Sequence, residues 1–474
     1  MTQQRIKYYF GVTVLLVNAF ASLAQPAADT TARADTSLIT VGEITITGNR
    51  KTKPFIILRE IPFAKGEQYT MKALVKKMED ARLQLMNLSL FHSVVVAAKT
   101  MEGNNTGIHV DVKERWYLFP SLYFKPVDRN LNQWIVEQKA DLSRVNLGVK
   151  LRYYNATGRN DKIRGTIGFG YTRQFALNYE RPYIDKKLKW GLAAGFTTGK
   201  NKEVNYNTIN DKQVFIKDDN VFLNNFANGF AQFTYRRKIK TRHSFGISYT
   251  TREVQDTVVA LNPSYFQSGN HRVSYPELFY TLTYFDVDFI PYPTKGYALQ
   301  ASFAKRGFNK NVNLWQIALK GSGTWHLSNK MFFNLNLYAS LKAPFKQPYS
   351  HQQFLGYGDA VMQGYEYYVI DGVAGGYLKS TLSHELINFK VKVPQLKKGK
   401  EPFRIPFRIV GKVFGNTGYV HNPQPGDNLL SNKMLWSGGF GIDIVTFYDI
   451  TLKVEYSFNQ LGENGLFLHK KSIF

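Results

Sequence analysis

Apolar and polar residues alternate with a period of two along most of the chain. Phe245, Ile247 and Tyr249 oppose Ser244, Ser248 and Thr250. Tyr297, Leu299, Ala301 and Phe303 oppose Ala298, Gln300 and Ser302. Phe333, Leu335, Leu337, Ala339 and Leu341 oppose Asn334, Asn336, Ser340 and Lys342. Near the C-terminus Ile450, Leu452, Val454, Tyr456 and Phe458 oppose Asp449, Thr451, Lys453, Glu455 and Ser457. This is the pattern of strands with one apolar face and one polar face. Such strands are expected to start near Tyr117, Val145, Lys162, Phe175, Lys189, Asn225, Arg242, Tyr275, Tyr297, Val312, Met331, Tyr377, Ile405, Ser437, Asp449 and Gly465, sixteen in all. Two unlike faces fit a cylinder with lipid outside and a wet lumen. In lipid every backbone group needs a partner, so the sheet has to close.

The pattern differs ahead of Glu114. Thr40 to Thr47 alternates and ends at Gly48-Asn49, which predicts a strand. Pro54 suits the first turn of a short helix through Ile61, stopped by Pro62. Thr70 is positioned as an N-cap. Leu74, Met78, Ala81, Leu85 and Leu88 then recur at spacings of three and four, an apolar stripe on a helix. Val94 and Val96 mark a strand, and Ile108, Val110 and Val112 alternate in the last one. The expected order is strand, helix, helix, strand, strand, a small α+β domain over residues 38–114. An open sheet edge there could accept an extended chain.

Arg5 and Lys7 precede an apolar run from Phe10 to Val17, and Ser22 and Ala24 stand three and one residues before a cut at Gln25. A secretory signal peptide is expected over residues 1–24, with cleavage between Ala24 and Gln25. Residues 25–37 read as a linker, and residues 115–474 as the barrel.

Composition sharpens this picture. The chain has 474 residues, 29 Tyr and 35 Phe, which suit two interfacial aromatic girdles. It has no Cys, which removes disulfides, thiolate metal sites and cysteine nucleophiles. The nine His show no His-Glu-x-x-His or other metal spacing. No Gly-x-Ser-x-Gly elbow occurs, and Gly168-Phe169-Gly170 and Gly438-Gly439-Phe440-Gly441 fall in expected strands rather than phosphate loops. No catalytic role, cofactor or metal is expected. The net charge is +26, most of it after Glu114. Arg236, Arg237, Lys238, Lys240 and Arg242, and Lys390, Lys392, Lys397, Lys398 and Lys400, cluster at turns facing the N-terminal domain. They are expected either to meet anionic lipid head groups or to be solvated. An exported barrel does not meet nucleic acid.

Residues 38–114 resemble the POTRA (polypeptide-transport-associated) domain, opening on Val41-Gly42-Glu43-Ile44 and closing on Val110-Asp111-Val112-Lys113-Glu114. Residues 38–474 resemble the BamA/TamA-like family of outer-membrane assembly and translocation barrels, the bacterial surface antigen family. Its lumen-filling sixth loop has a tip reading Val/Ile-Arg-Gly-Phe/Tyr. Here the matching residues are Met362-Gln363-Gly364-Tyr365, between the eleventh and twelfth strands. The family's thirteenth strand carries Phe-x-Asp-x-Gly, matched by Phe414, Asn416 and Gly418. Asp286, Asp288, Pro293 and Gly296 match an Asp-rich strand ending in a Pro-x-x-Gly turn.

In the family the loop Arg and the wall Asp form an ion pair. Here both positions hold neutral amides, Gln363 and Asn416, which are expected to bond each other and hold the loop more weakly. The resemblance implies residence in the outer membrane with the POTRA domain in the periplasm, and partners among unfolded or exported client proteins, periplasmic accessory proteins or chaperones, and outer-membrane lipid. It implies that clients are assembled, inserted or translocated through a lateral seam between the first and last strands. Pro120 cannot donate to the ladder, and Lys470 and Lys471 interrupt the last strand, so the seam is expected to be weak. Phe474 resembles the aromatic C-terminal sorting residue of outer-membrane barrels. Loss of the ion pair leaves a second reading open, a passive or ligand-selective channel.

Overall fold

The structure, a computed structural model, describes residues 37–126, 134–135, 139–393, 403–446 and 450–470. The N-terminal domain runs β1 (Leu38–Thr47), α1 (Pro54–Leu58), β2 (Gln68–Thr70), α2 (Met71–Asn87), β3 (Phe91–Glu102) and β4 (Asn105–Glu114). Its sheet order is β2-β1-β4-β3, with β1 and β4 parallel. The short edge strand β2 extends the three-stranded expectation by one. Its three residues pair antiparallel with Leu38–Thr40 but are too few to show a period. α1 ends at Leu58, earlier than Ile61, while Thr70 caps α2 by accepting from the Ala73 amide. The apolar stripe of α2 buries Leu74, Ala81 and Leu85 against Ile56, Ile57, Phe91, Ile108 and Val110.

The rest of the chain is β5 (Leu118–Pro126), β6 (Val145–Tyr154), β7 (Lys162–Gly170), β8 (Thr172–Arg181), β9 (Trp190–Asn201), β10 (Glu203–Ile209), β11 (Lys212–Lys217), β12 (Asn224–Tyr235) and β13 (Thr241–Val254). After α3 (Asp256–Leu261) come β14 (Arg272–Val287), β15 (Gly296–Arg306), β16 (Leu314–His326) and β17 (Met331–Ala343). Then follow α4 (Tyr349–Gln352), β18 (Gln353–Leu355), β19 (Ile370–Asp371), β20 (Ala374–Val393), β21 (Phe403–His421), β22 (Met434–Val445), β23 (Thr451–Asn459) and β24 (Asn464–Lys470).

Sixteen of these strands form one antiparallel sheet, a transmembrane β-barrel. β5 and β24 stand at the two ends of its pairing order, so the seam falls between them. No helix among the described residues is long and apolar enough to cross a membrane. In β21 the even positions Val410, Lys412, Phe414 and Asn416 are buried inside, while the odd position Val413 is exposed to the lipid side. Lipid-facing residues such as Leu122, Ile247, Trp315, Phe440 and Leu466 are exposed in the same way. Gly296 shows why the tight inward turn needs glycine. Its φ is +110°, and an added Cβ would lie 2.0 Å from the Asp286 carbonyl oxygen. Asp288 closes that turn by accepting from the Thr294 amide at 3.0 Å and the Lys295 amide at 3.2 Å.

Candidate functional site

Residues 344–373, between β17 and β20, fold back against the wall. Met362 and Tyr365 are buried with Phe354, Leu355, Ile370, Val420, Leu430 and Leu435. At the tip Gly364 has φ +89°, and a Cβ there would stand 2.8 Å from the Ser437 Cβ. A glycine therefore permits both the turn and the close approach. The Tyr365 hydroxyl donates to the Trp436 carbonyl at 3.2 Å, and the Asn459 amide donates to the Gly364 carbonyl at 2.8 Å.

The expected amide pair does not form. The Gln363 side chain donates to Glu455 at 3.2 Å, and the Asn416 side chain donates to the Ser437 hydroxyl at 3.1 Å. The link between the two residues runs through Ser437, whose hydroxyl donates to the Gln363 backbone carbonyl. The side-chain oxygens of Gln363 and Asn416 are both buried without a hydrogen-bond partner among the described residues. The loop is docked, but by its backbone and by the Glu455 carboxylate rather than by a reciprocal amide bridge.

The ionic chemistry around the loop tip lies on the wall. Lys412 of β21 is buried between Asp443 of β22 and Glu455 of β23, with hydrogen bonds to both carboxylates. Lys453 lies 3.8 Å from Asp443, and the Tyr292 hydroxyl donates to Asp443 at 3.0 Å. Gln363 thus inserts a neutral donor into a cluster whose charges already balance. An arginine at that position would add a further cation beside Lys412. The sequence signal was present: Lys412 falls on the inward parity of β21, between Val410 and Phe414.

The same loop grips the last hairpin. Glu366 lies 3.1 Å from His469 Nε2 in β24, and His469 is 3.3 Å from Glu455. The Tyr367 and Phe467 rings pack edge to face at 5.4 Å. The Tyr368 hydroxyl donates to Glu463 at 2.7 Å.

A second loop covers the opposite mouth of the barrel from the POTRA side. β10 and β11 form a hairpin whose tip, Asn210-Asp211, has positive φ at both residues. That is the turn geometry favoured by Asn and Asp, and it marks a signal that the alternation alone did not reveal. The Asp211 carboxylate accepts from the Leu429 amide at 2.9 Å, and its carbonyl accepts from the Val369 amide at 2.8 Å. Burial raises the Asp211 carboxyl, with the Leu429 and Leu430 amides pulling it back. At the root of the inward loop, burial beside Arg306, Lys342 and Arg252 pushes the His351 imidazole down to about 3.

The POTRA domain is joined to the barrel turns. Glu60, buried, receives Arg236 through both guanidinium nitrogens, one at 2.7 Å, and the Tyr183 hydroxyl at 2.8 Å. Arg59 donates to the carbonyls of Leu188 at 3.2 Å and Arg236 at 3.0 Å. Asn87 accepts from the Ile290 amide at 3.0 Å, and Asn155 donates to Thr52 at 2.9 Å. Arg236 therefore lies neither at lipid head groups nor in solvent, the two expectations for its cluster. A buried carboxylate on the neighbouring domain has captured it. Lys240 is likewise paired with Asp286 at 2.6 Å.

Of the expected seam residues, Pro120 lies exposed in β5 opposite Leu151, and Lys470 ends β24 opposite Leu452. Lys471, Phe474, Ala24 and Gln25 lie outside the described residues. Among the described residues no group of three or more His, Asp or Glu is placed to hold a metal.

A small α+β domain fastened to a sixteen-stranded membrane barrel, with one loop folded back onto the wall, defines a POTRA-bearing outer-membrane-type barrel. The chain belongs to the Omp85 superfamily, whose domain matches residues 155–446. The POTRA domain, described as a surface antigen variable number repeat, matches residues 39–115. Among solved structures, BamA from Haemophilus ducreyi lacking POTRA domains 1-3 is 14% identical, with 93% of this chain and 84% of that one covered at a TM-score of 0.50. CdiB from Escherichia coli is 12% identical, with 92% of this chain and 74% of that one covered at a TM-score of 0.52. No curated protein matches the sequence.

Proposed function

We propose that the protein works in the outer membrane, with its POTRA domain in the periplasm, and that it inserts or translocates client proteins through the seam between β5 and β24. One observation carries this reading. The inward loop fastens the β23–β24 side of the seam through Gln363, Gly364, Glu366 and Tyr368. On the other side Pro120 leaves β5 one donor short. A seam stiff on one side and one bond weaker on the other opens by moving β5. The freed edge then templates an incoming strand. The POTRA edge strand β3 is suited to hold an extended client segment, or a periplasmic accessory protein, on its way to that edge. No step in this route requires catalysis.

A passive or ligand-selective channel is opposed by the same loop and by the β10–β11 hairpin, which reaches residues 428–430 across the mouth. Depleting the protein and measuring the outer-membrane proteome separates the two readings. Loss of client barrels or exported proteins supports assembly or translocation. Intact clients with altered solute uptake support the channel. A cysteine pair with one member in β5 and one in β24 supplies the mechanistic test. Oxidation is expected to abolish client handling, and full activity of the crosslinked protein would exclude lateral opening.

A further inference from the structure

Two barrel strands outrun their neighbours. β20 and β21 have 20 and 19 residues, and their ladder continues to Val393 opposite Phe403. On one side β17 begins at Met331, opposite His384. On the other side β22 ends at Val445, opposite Arg408. The rungs from Phe389–Phe407 to Val393–Phe403 therefore stand beyond both neighbouring strands. At about 3.4 Å per residue they project roughly 17 Å past the rim, on the side where the POTRA domain sits. A register shift between Glu385 and Ile387 places a bulge where the ribbon leaves the wall. Bulges bend the strand that carries them.

The ribbon has two unlike faces. Residues directly opposite on paired strands share a face. Ile387 opposes Ile409, Phe389 opposes Phe407, and Val391 opposes Ile405. The Phe389 and Phe407 rings stack at 5.4 Å with 13° between their planes. Between these pairs come Asn388 opposite Arg408 and Lys390 opposite Pro406, with Lys392 following. Ile387, Phe389 and Val391 are 52%, 42% and 41% exposed. A two-stranded ribbon is marginal in water on its own, and an uncovered apolar face adds to the cost.

The parity of β21 indicates what covers that face. Phe407 and Ile409 have the odd parity of Val413, the lipid-facing side of the barrel, while Arg408 has the inward parity of Lys412. The apolar face of the ribbon is thus continuous with the wall that lipid already solvates. The basic residues alternate with it just beyond the rim, where head groups lie.

We propose that the β20–β21 ribbon is a membrane-surface element. It lays Ile387, Phe389, Val391 and Phe407 into the interface of the phospholipid leaflet on the POTRA side, and it holds Lys390 and Lys392 at anionic head groups. This goes beyond the assembly reading and does not depend on it. It requires only that the barrel spans a bilayer.

The absence of Cys allows single-site labelling of the full-length protein. Single cysteines at each position from 387 to 392 carry an environment-sensitive fluorophore, with the protein in vesicles of phosphatidylethanolamine and phosphatidylglycerol. The vesicles contain lipids bearing a nitroxide quencher near the head of the acyl chain. Quenching is expected to alternate, strong at 387, 389 and 391 and weak at 388, 390 and 392. Replacing Lys390 or Lys392 with Glu, or omitting phosphatidylglycerol, is expected to lower the docked fraction at 391, by about fivefold in the docked-to-free ratio for each lysine lost. Uniform quenching at all six positions, or none at any, overturns the proposal. So does protection at 387, 389 and 391 that appears only after a periplasmic protein fraction is added, because the occupant is then a protein.

Discussion

β24 and β5 end the same sheet, yet they are held in different ways. The inward loop meets the β24 side with a carboxylate–imidazole contact, a tyrosine hydrogen bond and an aromatic pair. Behind that lies the buried Lys412–Asp443–Glu455 cluster. β5 pairs with β6, and Tyr123 lies against the Lys150 ammonium at 4.1 Å, while Ser121 on the inward parity is exposed. A closed cylinder yields where its wall is least braced. The buried charges brace one end of the sheet, and the proposed opening assigns the movement to the end without them.

The largest effect should come from removing the brace. Lys412→Met leaves Asp443 and Glu455 facing each other without their buried cation, at a cost of about 3–5 kcal/mol. Denaturant unfolding in detergent micelles reads it, and an unchanged midpoint would refute the brace. Acid comes next. His351 stays neutral in the folded protein down to about 3, whereas the unfolded chain takes up a proton near 6.5. Between those values the unfolded state binds more protons, so stability falls as pH drops, by up to a few kcal/mol. His351→Gln should flatten that part of the melting-versus-pH curve and leave the neutral-pH melting point nearly unmoved. Gln363→Ala removes one hydrogen bond to a charged acceptor and should cost about 1.5–3 kcal/mol at the upper limit, less where Lys412 takes up the slack. Faster hydrogen exchange confined to β23 and β24 is the expected signature. The smallest change sharpens the contrast from the other side. Pro120→Ala returns a donor to the seam edge of β5, is worth about 1 kcal/mol or less, and should slow exchange in β5 and at the facing edge of β24.

Much of this was legible in the sequence because a barrel writes itself with a period of two. Strands expected near Val145, Lys162 and Met331 start at those residues, and the starts near Phe175, Tyr275 and Tyr377 lie three residues early. Their first residues lie at the rim, where the face toward lipid ends and the pattern fades. The loop tip was found through its likeness to a known motif, and it docks at Ser437 and Asn459. The bonding around it was not legible. Gln363 and Asn416 were matched as a pair, but alternation carries no information on which of several inward polar groups lies nearest. The Glu60–Arg236 contact spans 176 residues, and nothing local in either segment announces it. The ribbon was hidden because its alternation merges with that of the wall. Only the ends of β17 and β22 reveal that it continues alone.

Arg59, Glu60 and Asn87 tie the POTRA domain to the turns at Leu188, Arg236 and Ile290. Such a mounting has little freedom to swivel. Load on the domain is passed as torque into the turns at Leu188, Arg236 and Ile290, a quarter of the circumference or more from the seam, and through Thr52 into the β6–β7 turn at Asn155, two strands from it. Most of that load reaches the seam only through the wall itself, which makes the barrel a spring rather than a frame.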